Sequence, residues 1–532
     1  MVPPDCQTGY AASSVMTPTN VEATEYSGTA VAGSAWTTLQ TLANKVASVA
    51  AMYLLARMLL PADFGLASLA VSIGAFAFVI PPYVMGDVLI SAPSGFGRRS
   101  GAALLSVWAV GILLALAMLG SAWPIQQVTG KLGIAAVLCV VAARPLADAL
   151  MIVPMARMRL DLMFRRISMI DGVIILLATV SGVLMAWLGF GPMAIVAPPI
   201  ATIAIRGVVY WLSVGREIPR QVAPGSLREV SREFALAGLG QYLNNIVMIL
   251  EIIVLGWFAN EVELGYFAFA FQLAMQANAV IAGQLGAVLQ PIFGRLQLDA
   301  GRQIAAFLRS SRLLAAFAVP ISVTQAAVAV PLFDVVFGSK WQPSIGAFIA
   351  LSAAQGFMFA GAPAVALLKA QGRFRAYLFW QAAQLAASLL LFPAFLLYGA
   401  DAIAGVAAYA GIPVPEGAAL PLAIGCASAL VWAVVSPIAV WIGCRPTRLP
   451  LRSAIGLFLL PLLISLPFGI GTWIAFPALE RMLPSSAAAW LLLLGVAPAA
   501  CMAASAACCA AQASTRADAG ALLRRLRTRL RI

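Results

Sequence analysis

The 532-residue chain contains no histidine, and only 10% of its residues are charged. Without histidine it can hold no imidazole metal site, no Ser-His-Asp triad and no imidazole proton relay. Its seven cysteines form no pair with the spacing of a zinc site, and most lie in apolar segments, where free cysteine packs as a small hydrophobe. We therefore expect a chain without catalytic residues, bound metal or cofactor.

Apolar residues, in contrast, are in large excess. Hydrophobic residues occupy 62% of the positions, and the mean hydropathy is +0.95. A soluble globular protein could not bury so much apolar surface, so the composition predicts an all-α polytopic membrane protein. Apolar stretches of about 20 residues, the length that spans a bilayer, predict about fourteen transmembrane helices at 30–55, 65–89, 102–123, 132–153, 168–189, 193–214, 234–258, 265–289, 313–336, 343–368, 376–398, 420–442, 453–475 and 487–510.

The basic residues predict the orientation of these spans. Loops after the even-numbered spans, together with the C-terminal tail, hold 26 of the 33 lysines and arginines. Loops after the odd-numbered spans hold only Arg57, Lys131, Lys340 and Arg481. Basic loops stay in the cytoplasm, so we expect a multi-pass membrane protein with both termini cytoplasmic. The net charge of +13 follows this topology and does not indicate nucleic acid.

A sequence repeat divides the predicted spans. At a constant offset of 200 residues, Thr41, Asn44, Lys45, Asp63 and Gly65 correspond to Gln241, Asn244, Asn245, Glu263 and Gly265. Both copies start in the cytoplasm, which predicts parallel repeats and a substrate site between two six-helix lobes. The predicted domains are a disordered cytoplasmic tail at 1–28, a first lobe at 29–214, a cytoplasmic linker at 215–233, a second lobe at 234–442, two additional helices at 443–511 and a basic cytoplasmic tail at 512–532.

Hydrogen-bonding side chains concentrate in the first, seventh and eighth spans. They are Thr41 and Asn44 in the first, Gln241, Asn244 and Asn245 in the seventh, and Gln272 and Gln276 in the eighth. Such groups line a cavity for a sugar or for water, and we predict that these bind substrate. The alternative is that they only join neighbouring helices, as polar side chains in membranes commonly do.

Charged residues inside the spans are few and therefore informative. Arg144 and Asp148 are four residues apart on one helix face, which predicts that they neutralise each other, although Arg144 is also a candidate for substrate binding. Lys45 and Arg206 have no partner nearby in sequence, so we interpret them as anion-binding groups. The alternative for both is a distant ion pair, with Glu251 or with Asp171.

Four short motifs resemble bacterial lipid-linked oligosaccharide flippases and polysaccharide exporters of the multidrug/oligosaccharidyl-lipid/polysaccharide superfamily. They are the segment Lys45–Gly65 with its end Arg57-Met58-Leu59-Leu60-Pro61-Ala62-Asp63-Phe64-Gly65, the basic loop Pro154–Arg166, the turn Leu264–Ala268, and Phe337-Gly338-Ser339-Lys340-Trp341. The residue Trp341 is also expected to anchor the outer face at the membrane interface. The resemblance extends over about residues 28–400.

This resemblance implies a polyprenyl-pyrophosphate oligosaccharide as substrate, moved across the inner membrane for exopolysaccharide or O-antigen synthesis. It implies no cofactor, and it implies membrane lipids, glycosyltransferases and a polymerase of the same pathway as partners. A pyrophosphate needs cations at membrane depth, for which Lys45 and Arg206 are candidates. Glu251, where the family pattern leads us to expect aspartate, is the candidate for coupling to an ion gradient, because a lone buried acid can exchange a proton.

Three alternatives remain at this point. A cation-coupled multidrug exporter of the same superfamily would line its cavity with acids and aromatics, whereas the first span here carries a lysine and no acid. A membrane polymerase or ligase would expose a large extracytoplasmic loop, and the longest such loop predicted here is 399–419. Export of another amphiphile, including the lipid-linked peptidoglycan precursor, is compatible with the sequence.

Overall fold

The computed structural model of the protein describes residues 47–77, 84–90, 95–219, 221–296, 299–445 and 450–512. Within these ranges the chain is helical apart from short turns, and no β-strand occurs in them. Residues 47–219 are called the first half below, and residues 221–443 the second half. The helices of the first half are α1 (Ala47–Met58), α2 (Pro61–Ala77), α3 (Val84–Ile90), α4 (Phe96–Thr129), α5 (Ile134–Val141), α6 (Arg144–Leu160), α7 (Phe164–Trp187) and α8 (Met193–Val214).

The second half begins with two of the longest helices and is followed by three further helices. Its helices are α9 (Ser226–Phe258), α10 (Glu261–Arg295), α11 (Ala300–Ala327), α12 (Ala329–Leu332), α13 (Ser344–Ala370), α14 (Phe374–Ala394), α15 (Ala400–Tyr409) and α16 (Ala419–Gly443). The last three are α17 (Leu451–Glu480), α18 (Ser485–Leu491) and α19 (Ala497–Ala511).

Ten of the described helices are long and apolar enough to cross a membrane. This confirms the predicted all-helical, multi-pass membrane protein. Helices overlap each of the fourteen predicted spans, but the number fourteen stays a prediction, because α1, α2, α9 and α10 are not among the ten.

The predicted linker between the halves is partly helical. Helix α9 begins at Ser226, inside the predicted linker 215–233. Hydropathy marks only the part of a helix that lies in the bilayer, whereas the charged residues between Arg228 and Glu233 are compatible with a helix that continues into water.

Each half has its own packed group of helices. In the first half α4 and α8 both pack against α6, and α7 packs against α8. In the second half α13 is central and contacts α10, α11 and α16. The halves meet where α2 packs against α10, and where α9 lies against α2, α3 and α4 on one side and α14 on the other. Helices α17 and α19 add to the outside of α11.

The sequence repeat has a structural counterpart at the start of α2 and of α10. The Asp63 carboxylate accepts a hydrogen bond from the Leu60 backbone N–H at 2.9 Å, and the Glu263 carboxylate accepts one from the Asn260 N–H at 3.0 Å. Both acids therefore stabilise the N-terminus of a helix by satisfying an N–H that the helix leaves free. At Asn260 the side chain also accepts from the Glu263 N–H, which completes a capping box.

Two glycines at equivalent repeat positions bring the halves into backbone contact. A Cβ atom on Gly65 would overlap the Glu261 carbonyl oxygen, and a Cβ atom on Gly265 would overlap the Pro61 carbonyl oxygen. The contact is reciprocal, because each glycine meets the first residue of the other helix. Only a residue without a side chain permits such an approach, as at other close helix crossings in membranes.

Candidate functional site

The structure tests only some of the predicted site residues. Lys45, Thr41 and Asn44 lie outside the described residues, and the side chains of Gln241 and Asn244, both within α9, are also outside the description. A cavity lined by the first, seventh and eighth spans therefore stays a prediction.

The remaining predicted amides lie in α9 and α10. Asn245, Gln272 and Gln276 are all half-buried. The Gln276 Oε1 atom is buried, and no hydrogen-bond partner for it exists among the described residues. A buried amide oxygen without a partner is costly, so this position has the capacity to bind a donor from a ligand or from water.

Glu251 is the acid most deeply buried in the described chain. Its side chain is 6% exposed, and its Oε2 atom finds no hydrogen-bond partner within the described ranges. The Ser428 hydroxyl of α16 lies beside the Glu251 carboxyl group. The Ser428 Oγ atom, like Glu251 Oε2, makes no hydrogen bond of good geometry to a described residue. No described basic residue forms a salt bridge with Glu251.

Further polar side chains in the second half were missed from the sequence. Gln355 and Gln384 are 3% and 1% exposed, and both have buried polar atoms without a partner among the described residues, as does Ser352. Gln384 lines a cavity of about 270 Å³ between α9, α13, α14 and α16, and this cavity also includes Met248, one turn before Glu251. The available signal was an amide near the middle of an apolar span, Gln355 in one span and Gln381 with Gln384 in the next.

The arginines inside the first half are paired. The Arg144 Nε atom donates to Asp148 at 3.1 Å, which confirms the predicted neutralisation within one helix. Arg206 Nη1 of α8 donates to Asp171 of α7 at 3.3 Å, as in the alternative that the sequence left open. The Tyr210 hydroxyl donates to the same Asp171 oxygen at 2.7 Å.

This pairing does not consume all the donors of either arginine. The Arg206 Nε atom is buried and has no partner among the described residues. The Arg144 side chain is 42% exposed, so part of its guanidinium is accessible. An arginine has five N–H donors, and a carboxylate occupies two at most. Their role in substrate binding stays a prediction.

The halves are joined at the end of the bundle that carries few basic residues. This arginine-poor end comprises the turns α1–α2, α4–α5 and α9–α10 and the segment 333–343. Lys340 Nζ of the second half donates to the Arg57 and Leu59 carbonyls of the first half, each at 2.9 Å. Lys131 Nζ of the first half donates to the Ala259 carbonyl of the second half at 2.7 Å. Burial and the nearby Arg57 lower the pKa of Lys340, and Asp63 opposes this effect.

The prediction that Trp341 anchors the outer face at the membrane interface is wrong. Its side chain is fully buried, its indole N–H donates to the Ala56 carbonyl at 2.9 Å, and its ring stacks on Phe269 with 4.0 Å between centroids. Phe64 of the first half packs edge-on against both rings. The tryptophan therefore joins the halves, because an apolar core forms there that hydropathy along the chain does not reveal.

Ion pairs join the halves at the opposite, arginine-rich end. Arg99 near the start of α4 is 5% exposed and pairs with Glu233 of α9, and the neighbouring Arg98 pairs with Glu229 at 2.9 Å. The Ser106 and Ser231 hydroxyls lie 3.0 Å apart in the same region. In this structure both ends of the boundary between the halves are therefore bridged.

Comparison with known proteins identifies the fold. The structure is similar to that of a lipid II flippase, MurJ, in an inward closed conformation, with a TM-score of 0.64, 10% identity, and coverage of 88% of this chain and 97% of that one. A multidrug resistance MATE family transporter of the MOP superfamily in an inward-facing conformation gives a TM-score of 0.49 at 17% identity, covering 77% of this chain and 95% of that one.

A curated relative and a family model agree with the fold. The succinoglycan biosynthesis transport protein ExoT of Rhizobium meliloti (strain 1021) is 24% identical over 336 residues, which are 62% of this chain and 66% of that protein. The homologue is a transport protein, and the structural neighbours are a flippase and a transporter. The family model described as polysaccharide biosynthesis protein matches residues 54–346, more than half of the chain, so the protein belongs to this family.

Proposed function

We propose that the protein flips polyprenyl-pyrophosphate-linked oligosaccharide repeat units across the bacterial inner membrane, by alternating access between its two halves. The arginine-rich end and both termini would then face the cytoplasm, as the distribution of basic residues predicts. The product serves exopolysaccharide or O-antigen synthesis, and a polymerase and glycosyltransferases of that pathway are the expected partners.

The observation that carries this proposal is a family assignment combined with a flippase-like fold. The family is one of polysaccharide biosynthesis, its relative ExoT is a succinoglycan transport protein, and the fold is similar to that of a lipid II flippase over nearly the whole of that chain. A lipid-linked sugar is a substrate class that agrees with all three.

The chemistry of the first half supports an anionic head group. Lys45, Arg144 and Arg206 supply positive charge within predicted spans, and the two arginines retain donors beyond their aspartate partners. Thr41, Asn44, Gln241, Asn244, Asn245, Gln272 and Gln276 would provide hydrogen bonds to the glycan. The lipid tail can stay in the bilayer throughout.

The second half supports ion coupling through Glu251. Glu251 is buried among apolar helices and has no cationic partner among the described residues, so we expect it to hold a proton or a cation. Binding and release of that ion would give the two halves different preferred arrangements. A transporter can be driven by an ion gradient only through such a difference in affinity between states.

The test is a deletion strain analysed by lipid extraction and mass spectrometry, alongside surface polysaccharide. We expect completed lipid-linked repeat units to accumulate on the cytoplasmic side, and sidedness is measured by their resistance to a membrane-impermeant glycosidase in spheroplasts. Units that accumulate on the periplasmic side would instead indicate a block in polymerisation. Unchanged pools together with increased drug sensitivity would replace the proposal by drug export.

Point variants in the complemented strain test the assigned roles. Lys45→Ala and Glu251→Gln are expected to abolish polysaccharide at normal protein levels. Glu416→Gln is the matched control, because Glu416 is exposed in the turn before α16. Normal transport in Lys45→Ala would remove Lys45 from the mechanism.

A further inference from the structure

The few basic residues at the arginine-poor end have a shared structural use. Four basic residues lie in the loops where the topology predicts almost none, namely Arg57, Lys131, Lys340 and Arg481. Lys131 and Lys340 each donate to backbone carbonyls of the opposite half. Arg57 Nη2 lies 3.5 Å from the Val335 carbonyl oxygen, again across the boundary. Three of the four therefore bridge the two halves.

The two lysine contacts are related by the sequence repeat. Lys131 lies in the turn between α4 and α5, and its acceptor is Ala259, the residue that follows the end of α9. Lys340 lies in the corresponding turn of the second half, before α13, and its acceptors include Leu59 at the end of α1. Ala259 and Leu59 are 200 residues apart, which is the offset of the repeat. Each half thus caps the C-terminal end of the first helix of the other half.

We propose that Lys131 and Lys340 form a paired latch that holds the arginine-poor end of the protein closed, and that both bonds break when this end opens. A cation at a helix C-terminus is favourable, because the last carbonyls have no partner within the helix and carry partial negative charge. Only the consequence of the latch for transport rests on the proposed function, because that function assumes alternating access.

The choice of acceptor makes the latch reversible. A lysine–carboxylate pair would leave a buried charge behind when it breaks, which is strongly unfavourable. A backbone carbonyl at a helix end can accept a hydrogen bond from water instead, so opening exchanges one partner for another. The turn that carries Lys131 needs φ angles of 67° at Gly130 and 85° at Gly133, which glycine adopts without strain.

The geometry of the neighbouring turns provides reporters for opening. Phe190, in the turn between α7 and α8 of the first half, is 53% exposed, and Glu416, before α16 of the second half, is exposed. Each reporter is followed by a glycine that lies close to one of the two equivalent capping acids. Gly191 lies close to Asp63, and Gly417 lies close to Glu263. Neither reporter contacts a latch lysine in any described hydrogen bond.

The experiment measures the distance between spin labels at these two positions by pulsed electron spin resonance. The full-length protein is used in lipid nanodiscs without substrate, in a background whose native cysteines are replaced. We compare Lys131→Met, Lys340→Met and the double variant with Lys369→Met, a control lysine that lies over the Tyr377 ring at the arginine-rich end. Each latch variant should shift the ratio of closed to open molecules by about tenfold, as expected for one hydrogen bond to a charged donor.

The outcomes are distinct. A longer distance in the double variant, with the control unchanged, supports the latch. A distribution in the double variant that equals that of the control would overturn it. Because no substrate is present, a wrong substrate assignment leaves this measurement intact, and an unchanged distance leaves the lipid analysis unaffected.

A second measurement needs no substitution and covers the case in which the double variant does not fold. In the unaltered protein a water-soluble amine reagent labels Lys131 and Lys340, and peptide mass spectrometry follows each rate. Lys131 is 5% exposed and Lys340 is only half-buried, so one opening event predicts that Lys131 reacts more slowly than Lys340 but still becomes fully labelled. Lys131 that stays unlabelled while Lys340 reacts fully would contradict the paired latch.

Discussion

The reciprocal glycine contact gives the most direct test of how the two halves fit together. We consider Gly265→Ala in α10. The added methyl carbon would lie 2.5 Å from the Pro61 carbonyl carbon and 3.1 Å from its Cα atom, whereas an ordinary contact needs at least 3.4 Å. The neighbouring atoms belong to backbone, so no side-chain rotation can make room, and α2 and α10 must separate.

The magnitude follows from two opposing effects. Overpacking of this kind costs about 1–3 kcal/mol. Replacing glycine by alanine inside a helix stabilises the folded protein by up to about 1 kcal/mol, because alanine has the higher helix propensity. Gly294→Ala in the same helix isolates the second effect, because a Cβ atom there has no neighbour within 4 Å. The difference between the two alanine variants should therefore equal the steric cost alone, about 1–3 kcal/mol.

The assay is reversible unfolding in detergent by a titration with sodium dodecyl sulfate, followed by tryptophan fluorescence. We expect Gly265→Ala to unfold at a lower mole fraction of dodecyl sulfate than Gly294→Ala, and Gly65→Ala to behave like Gly265→Ala because the contact is reciprocal. Equal stability of Gly265→Ala and Gly294→Ala would refute the close approach of the halves at this point.

Three further predictions concern the charged groups. Glu251→Asp should retain part of the transport that Glu251→Gln loses, which is measured as surface polysaccharide at matched protein level; equal loss would argue against an ionisable role. Asp171→Ala should lower the stability of the protein by up to about 3 kcal/mol, because it leaves Arg206 partly buried without its partner, and thermal melting checks this; unchanged melting would contradict it. Arg99→Glu should impair transport and Glu233→Arg in the same chain should restore it, since the exchange re-forms the pair; a double variant no better than the single one would show that the pair is not required.

The end-of-helix features of the fold could be predicted from the sequence because they depend on local chemistry. The carboxylate of an acid at the third position of a helix accepts a hydrogen bond from the N–H of the residue that precedes the helix. The correspondence of Asp63 and Glu263 therefore indicated equivalent turns. The structure confirms that each of the two carboxylates accepts a backbone hydrogen bond at the start of its helix. The close approach of α2 and α10 at Gly65 and Gly265 was not predicted. Residues that correspond in a sequence repeat have equivalent positions in their own halves, but they need not be in contact.

The partners of the buried charges were only partly predictable. Arg144 and Asp148 are close in sequence, and helix geometry alone brings them together. Arg206 and Asp171 are on different helices, and their distance depends on how α7 packs against α8. A single sequence presents such a pair only as one of several alternatives.

The burial of Trp341 was not predicted, because it also depends on residues that are distant in sequence. Tryptophan is common at membrane interfaces, and position alone favoured that interpretation. What decides its place is the apolar cluster of Phe64, Phe269 and Phe337, whose members come from both halves of the chain. Phe64 is more than 200 positions away from Phe269 and Phe337, so no local pattern reveals the cluster.

The two repeats are alike at their ends and unlike in their spans, and this difference bears on how the proposed transport works. At the arginine-poor end the acids, glycines and lysine caps occur in both halves, as a symmetric boundary requires. Inside the first and seventh spans the repeat offset pairs Lys45 with Asn245 and Ala51 with Glu251. The cation is therefore present only in the first half and the acid only in the second. The structural alternative, an ion pair between Lys45 and Glu251, would also place one charge in each half. A transporter that binds an anionic head group in one half and a coupling ion in the other needs this asymmetry, because the two ligands must be able to bind separately and yet bias the same opening of the boundary.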